Sequence, residues 1–129
     1  MTSTGHNRLL TTVDASSLRR DGDVVTFDYT DGLGQEHRGF ILRWNDGFHA
    51  YRNRCPHWST PLDEDGPQIF DHGSRALVCQ THGALFEPET GSCISGPCMG
   101  QSLKKLRVES AIDETEETIE IYDGGLTLS

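Results

Sequence analysis

The sequence lacks a long hydrophobic run. Across its 129 residues, no segment approaches the roughly 18 apolar residues that a membrane-spanning helix needs. The polar residues 1–8 are expected to be flexible, and the apolar stretch after them is too short for a secretory signal. The twin arginine at 19–20 is followed by DGDVVTFDY rather than by an apolar segment. The sequence therefore predicts a cytoplasmic protein with no membrane partner, and its length suits one domain over residues 1–129.

Basic residues are scarce. The chain has 11 Lys and Arg against 20 Asp and Glu, a formal net charge of −9. Nucleic acid is excluded as a partner, because nucleic-acid binders need clustered positive charge. The acidic runs at 63–65 and 113–120 are typical of a hydrated surface, and they would also favour encounter with a basic partner.

Helical patterns are nearly absent. Only DASSLRR, with Asp14 as a candidate N-cap, predicts a turn of helix. Short alternating segments broken by turn residues predict strands at 9–13, 24–29, 39–44, 48–54, 75–79, 103–110 and 118–123. NDG at 45–47 predicts a hairpin turn. We therefore expect an all-β fold with an antiparallel, sandwich-like base.

The stretch 54–100 differs from the rest of the chain. It holds all four cysteines and all five prolines, and its strand signals are weak. We expect a loop-rich subdomain there, inserted into the β base. Thiols stay reduced in the cytoplasm, so the cysteines indicate a metal site rather than a disulfide framework.

Two short motifs carry metal-binding side chains. CPH at 55–57 and CQTH at 79–82 supply two thiols and two imidazoles, Cys55, His57, Cys79 and His82. A single zinc ion takes such a set as a closed tetrahedron. A two-iron, two-sulfur cluster takes the two cysteines on one iron and the two histidines on the other. The ligand types alone leave both chemistries open.

The residues after the second motif favour the cluster. Residues 79–97 read CQTHGALFEPETGSCISGP, and the order CxH, spacer, CxxHGxxF, TG and a proline-containing loop resembles the Rieske iron-sulfur family. Zinc fingers commonly place their histidine pair on a helix, and no helix is expected here. The resemblance implies the Rieske fold and one [2Fe-2S] cluster per chain. Cys55 and Cys79 would bind one iron, and His57 and His82 would bind the other.

The resemblance also implies roles for residues around the cluster. Gly83 and Gly91 would allow the backbone to approach the sulfides, and Pro97 would stiffen a third loop that covers the cluster. Trp58 directly follows a ligand. Shielding of the cluster, a flat surface for a partner and plain packing all remain open for this side chain.

Four positions distinguish branches of the family. High-potential members of respiratory complexes resemble CTHLGC and CPCHGSxY, with an extra cysteine in each loop and two hydroxyls directed at the cluster. This chain has Thr60 and Thr81 at the cysteine positions, and Ala84 and Phe86 at the hydroxyl positions. Without those donors the reduced state loses stabilisation, so we expect the low-potential branch, near about −150 mV.

The implied function is electron transfer without bond chemistry. Ferredoxins of the low-potential branch carry single electrons from a flavin-dependent reductase to a terminal ring-hydroxylating oxygenase or a similar acceptor. No histidine follows Cys98, so no oxygenase iron site with two histidines and a carboxylate is expected. The sequence therefore predicts a non-enzyme with no catalytic residues and no small-molecule substrate of its own.

Two alternatives and one ambiguity remain. The chain could be a cluster-bearing subunit of a larger reductase or oxygenase, or a structural module held together by zinc. Cys93 and Cys98 could form a small disulfide, a redox-sensitive pair or two free thiols. A reducing cytoplasm and the short loop between them favour free thiols.

Overall fold

The computed structural model describes residues 9–56, 62, 69–79, 83–96, 99–112 and 116–123. Within these residues the chain forms strands joined by turns, and the all-β prediction is confirmed. The strands are β1 Leu9–Asp14, β2 Val24–Thr30, β3 Glu36–Trp44, β4 Gly47–Arg52, β5 Phe70–Asp71, β6 Ala76–Val78, β7 Leu85–Phe86, β8 Cys93–Ser95, β9 Lys105–Ile112 and β10 Glu117–Tyr122.

The predicted helical turn is a 3-10 helix over Ala15–Ser17. Its N-cap is Asp14, whose carboxylate accepts a 2.9 Å hydrogen bond from the backbone N–H of Ser16. Among the described residues, no helix has the length and apolar character needed to cross a membrane.

Six strands form the large sheet. Its order is β1-β10-β9-β4-β3-β2, and every pair of neighbours is antiparallel. The turn between β3 and β4 confirms the NDG prediction, because Asn45 and Asp46 have φ angles of 56° and 67°. Two successive positive φ angles are typical of the type I′ turn, which matches the twist of a tight hairpin.

The central strands of the large sheet, β3 and β4, are buried on both faces. Neighbouring residues of β3 separate into two cores, with Phe40 and Leu42 in one and Ile41 in the other. Strands covered on both sides have continuous apolar runs, which explains why FIL interrupts the alternation of this strand. The core that contains Ile41, called the base core, receives residues from both edge strands, Val13 of β1 and Tyr29 of β2, so the sheet curls around it.

The small sheet contains β5, β6, β7 and β8 in that order, all antiparallel. Its residues fall within the stretch 54–100 that the sequence singled out. The inter-sheet core joins it to the large sheet, and its fully or nearly fully buried members are Phe40, Leu42, Tyr51, Cys55, Leu62, Ile69, Phe70, Leu77, Cys79, Ala84, Phe86, Cys93 and Leu103. Strand β6 lies within the predicted segment 75–79, whereas β5, β7 and β8 were not predicted.

Candidate metal centre

The first loop, residues 53–62, leaves the end of β4 and contains the CPH motif. Cys55 is buried, with 1% of its surface exposed. The backbone N–H of Asn53 donates to the carbonyl oxygen of Arg38 on β3 at 2.8 Å. The side-chain Oδ1 of Asn53 accepts a 2.7 Å hydrogen bond from the N–H of Leu62, and this bond connects the two ends of the loop. The predicted ligand His57 and its neighbour Trp58 lie outside the described residues.

The second loop, residues 79–84, follows β6 and contains the CQTH motif. Cys79 has no exposed surface. Its N–H donates to the carbonyl oxygen of Ala84 at 2.9 Å, and its own carbonyl accepts from the N–H of Gly83 at 2.7 Å. Among the described residues, these two backbone hydrogen bonds close the loop. His82 lies within it, outside the described residues.

Gly83 is required by conformation rather than by crowding. Its φ angle is +73°, and among the described residues a Cβ atom there would meet nothing within 4 Å. The left-handed region costs a residue with a side chain about 1–2 kcal/mol. A glycine at this position therefore allows the chain to turn back into β7 without strain.

Gly96, directly after β8, approaches the second loop. A Cβ atom on Gly96 would lie 2.9 Å from the Cα of Ala84, and the φ angle of Gly96 is +108°. Ala84 itself is 1% exposed, so two small residues let the backbones touch. Sequence reasoning noted Ala84 only for its missing hydroxyl and overlooked this contact. Pro97 and Cys98 lie outside the described residues.

The glycine of the TG motif has a packing role. Gly91 has a φ angle of +77°, and a Cβ atom there would lie 2.8 Å from Cε1 of Tyr51. The predicted closeness of Gly91 to the sulfides stays a prediction. The structure shows that Gly91 closely approaches the ring of Tyr51, which the sequence pattern did not indicate.

Cys55 and Cys79 share one core although 24 positions separate them in sequence. No disulfide joins any two of the described cysteines, Cys55, Cys79 and Cys93. Two buried thiols at the starts of two short loops, each followed by a histidine in the sequence, fit the donor set of a histidine-ligated [2Fe-2S] cluster. In the described part of the chain, no group of three or more His, Cys, Asp or Glu side chains is placed to hold a metal ion.

Cys93 belongs to the same core but to a different element. It pairs with Phe86 across β7 and β8, and its Sγ donates a 3.4 Å hydrogen bond to the carbonyl oxygen of Ser95. Since Cys98 is outside the described residues, the prediction of free thiols at this pair stays a prediction.

Two titratable side chains of β4, Tyr51 and His49, have shifted pKa values. Burial raises the pKa of Tyr51, and the carboxylates of Glu87 and Glu89 raise it further. Burial also lowers the pKa of His49, which the charge of Lys105 lowers more. Both aromatic side chains are therefore held neutral at pH 7.

Comparisons with known proteins identify the family. Residues 11–116 match the model described as the Rieske [2Fe-2S] domain. The chain therefore belongs to the Rieske [2Fe-2S] domain family, and membership implies a Rieske-type cluster in this chain. The family, fold and cofactor expected from CPH and CQTHGALF are confirmed, whereas the assignment of individual ligands stays a prediction. A search of curated proteins finds no match.

Solved structures share the fold at low sequence identity. The ferredoxin of carbazole 1,9a-dioxygenase from Nocardioides aromaticivorans IC177 is 23% identical, with a TM-score of 0.63 over 89% of this chain and 97% of that one. A chain from the complex of reduced oxygenase and oxidized ferredoxin in carbazole 1,9a-dioxygenase is 23% identical, with a TM-score of 0.64 over 95% and 99%. The terminal oxygenase from Novosphingobium sp. KA1 is 16% identical, with a TM-score of 0.69, and the match covers 95% of this chain but 31% of the oxygenase.

Proposed function

We propose that this protein is a one-electron carrier of the ferredoxin type and that Cys55, His57, Cys79 and His82 bind its [2Fe-2S] cluster. The observation that carries the proposal is that Cys55 and Cys79 are buried in one core at the starts of two short loops. Each cysteine precedes a histidine by two or three positions in the sequence. We further propose that residues 1–129 form one domain, with the cluster-binding subdomain at 54–100.

The bound cluster supplies a site that accepts and returns one electron. The protein's part is to hold the ligands without rearrangement. Cys79 is fixed by backbone hydrogen bonds in both directions, to Ala84 and from Gly83. Cys55 follows Asn53, which is anchored to β3 through its backbone and to Leu62 through its side chain. Ligands held by such supporting contacts stay close to their working geometry.

The potential is proposed to lie near the low end of the Rieske range. Ala84 and Phe86 are both buried, at 1% and 0% exposure, and neither carries a hydroxyl. Hydrogen bonds to the sulfurs raise the potential of such clusters, which for histidine-ligated [2Fe-2S] centres spans about −150 to +300 mV. A carrier that lacks two of these donors suits delivery of electrons to an oxygenase better than oxidation of a quinol.

We place a flavin-dependent reductase before this carrier and a terminal oxygenase or similar redox enzyme after it. The similarity to the carbazole 1,9a-dioxygenase ferredoxin over 97% of that chain supports the carrier role. The chain in the oxygenase and ferredoxin complex supports the acceptor class. The protein would have no substrate of its own and no catalytic residue, and it would work in the cytoplasm.

A second candidate function is a cluster-bearing subunit of a larger enzyme. The match to a domain-sized part of the terminal oxygenase, with a TM-score of 0.69 over 95% of this chain, supports this second function. Purification from the native source under mild conditions distinguishes the two functions. A carrier elutes at the mass of the isolated chain, whereas a subunit co-elutes in fixed ratio with a larger one.

Metal and sulfide analysis of protein purified without oxygen tests the ligand assignment. We expect two iron and two acid-labile sulfides per chain, lost in Cys55→Ser and in Cys79→Ser. Cys93→Ser is the matched control, because Cys93 is buried in the same core and is not a proposed ligand. A protein with one zinc and no sulfide would instead establish the zinc-stapled module.

A further inference from the structure

We propose that Asn53 is a positioning residue that fixes the first loop for ligation of the cluster by Cys55 and His57. The inference rests on the proposed function, since it concerns the same two ligands. Asn53 lies two residues before Cys55 and is not itself a proposed ligand. It acts through the two ends of the loop that carries the two ligands.

The side chain of Asn53 connects the two ends of the loop. Its Oδ1 accepts a 2.7 Å hydrogen bond from the N–H of Leu62, nine positions later. Its backbone N–H donates to the carbonyl oxygen of Arg38 at 2.8 Å. Asn53 therefore anchors the loop to β3 at one end and closes it onto Leu62 at the other, with Cys55 between the two contacts.

The burial of Asn53 is unusual for its residue type. It is 4% exposed and is the one buried polar or charged residue in the part of the chain that the structure describes. Leu62, its hydrogen-bond partner, has no exposed surface and belongs to the inter-sheet core with Cys55. A buried amide is unfavourable unless it is hydrogen-bonded, so the position selects a side chain that can reach the Leu62 N–H.

The two loops differ in how they are closed. The second loop is closed by backbone groups, with hydrogen bonds between Cys79 and both Gly83 and Ala84. Such bonds do not depend on side-chain type, because every residue except proline has a backbone N–H donor. In the described part of the first loop, the closing contact is made by a side-chain oxygen, and a ten-residue loop with free ends has more conformations to lose than a short turn. Its ligand geometry should therefore respond to a single substitution at position 53.

Two substitutions at Asn53 and one control separate positioning from general stability. Asn53→Ala removes the acceptor, and Asn53→Asp keeps an oxygen at the same place. Ile121→Ala is the control, because Ile121 is fully buried in the base core, away from the inter-sheet core. The three variants and the wild type are compared by amide hydrogen exchange at Leu62, by the rate of iron release to a chelator, and by the EPR spectrum of the reduced protein.

We expect Asn53→Ala to exchange the Leu62 amide about tenfold faster than the wild type, to release iron severalfold faster and to show altered g values. Asn53→Asp should restore most of the Leu62 protection. Ile121→Ala should lower the unfolding temperature and leave the Leu62 exchange and the g values close to those of the wild type. The wild-type Leu62 amide should be protected from hydrogen exchange. This measurement tests the loop contact even if Asn53→Ala does not fold.

Three results would overturn the inference. One is an unprotected Leu62 amide in the wild type, and another is an Asn53→Ala protein with wild-type exchange, iron release and g values. The third is an equal change of g values in Ile121→Ala. Failure of the proposed function is distinguishable, because a wild type without iron and sulfide would refute the cluster ligation while the Leu62 exchange would still report on the loop contact.

Discussion

The hydroxyl of Tyr51 donates a 2.7 Å hydrogen bond to the carbonyl oxygen of Pro88. This bond ties β4 of the large sheet to the segment that follows β7 of the small sheet. Lys105 reinforces the same segment, because its Nζ donates to the carbonyl oxygen of Glu89 at 2.6 Å and lies 5.7 Å from the centroid of the Tyr51 ring. The two sheets are therefore joined by polar contacts as well as by the inter-sheet core.

Removing this hydroxyl should destabilise the fold. We expect Tyr51→Phe to lower the free energy of unfolding by about 1 to 2 kcal/mol, because the buried carbonyl of Pro88 loses a donor. Urea denaturation measures the change. Tyr122→Phe is the control, since its hydroxyl donates to Glu120 on the same strand and should matter less. Equal effects of the two substitutions would contradict the bridging role of Tyr51.

The contact between Gly96 and Ala84 should make Gly96 intolerant of a side chain. Gly34→Ala is the control. We expect it to lower the free energy of unfolding by about 1 kcal/mol, because the φ angle of +85° is unfavourable but a Cβ there meets nothing within 4 Å among the described residues. Gly96→Ala adds overlap with Ala84 and should cost about 1 to 3 kcal/mol more. Thermal unfolding of both variants tests this difference. Equal losses would mean that the backbones at 84 and 96 are not in contact.

His49 should make stability depend on pH near neutrality. Its pKa is lowered from 6.5, first by burial and then by Lys105, against opposing effects of Glu89 and of a hydrogen bond with Trp44. Because the unfolded chain binds the proton more readily, this contribution is full above about pH 6.5 and is lost as the pH falls below that value.

The difference between wild type and His49→Gln isolates this contribution. We expect the urea midpoint of the wild type to fall more than that of the variant between pH 7.5 and 5.5. All other titratable groups are common to both proteins, so their effects cancel in the comparison. Midpoints that fall in parallel would show that His49 keeps its ordinary pKa.

A hydroxyl restored beside the proposed cluster should raise its potential. Phe86→Tyr places a phenol in the inter-sheet core, and one hydrogen bond of about 1 kcal/mol to the reduced state corresponds to about 40 mV for a one-electron couple. A potentiometric titration measures the shift. Phe27→Tyr is the control, since Phe27 packs against the base core. Equal shifts in both variants would argue against the low-potential explanation from Ala84 and Phe86.

Periodicity predicted the large sheet well and the small sheet poorly. Strands β2, β3 and β10 were placed to within three residues, because β-branched and aromatic residues are concentrated in each of them. Strands β5, β7 and β8 contain two or three residues each, and their positions follow from packing on the large sheet. No local pattern could have shown them.

The spacing of the two motifs selected the proposed ligands, but it did not indicate the residues that support the surrounding loops. CPH and CQTH identify side chains by type, so the cysteines could be selected from the sequence. Asn53, Tyr51 and Gly96 act through partners at positions 62, 88 and 84. Those pairings depend on how the loops cross the core, and the sequence around each residue carries no sign of them.

The low-temperature EPR spectrum of the protein tests the central claim most directly, namely that two cysteines and two histidines hold the cluster. The oxidised protein should be silent, and reduction should produce a signal whose average g lies below that of an all-cysteine [2Fe-2S] cluster. His82→Cys should raise the average g and lower the potential, because a thiolate replaces a neutral ligand. A reduced spectrum of the all-cysteine type in the wild type, or a spectrum unchanged by His82→Cys, would contradict the account.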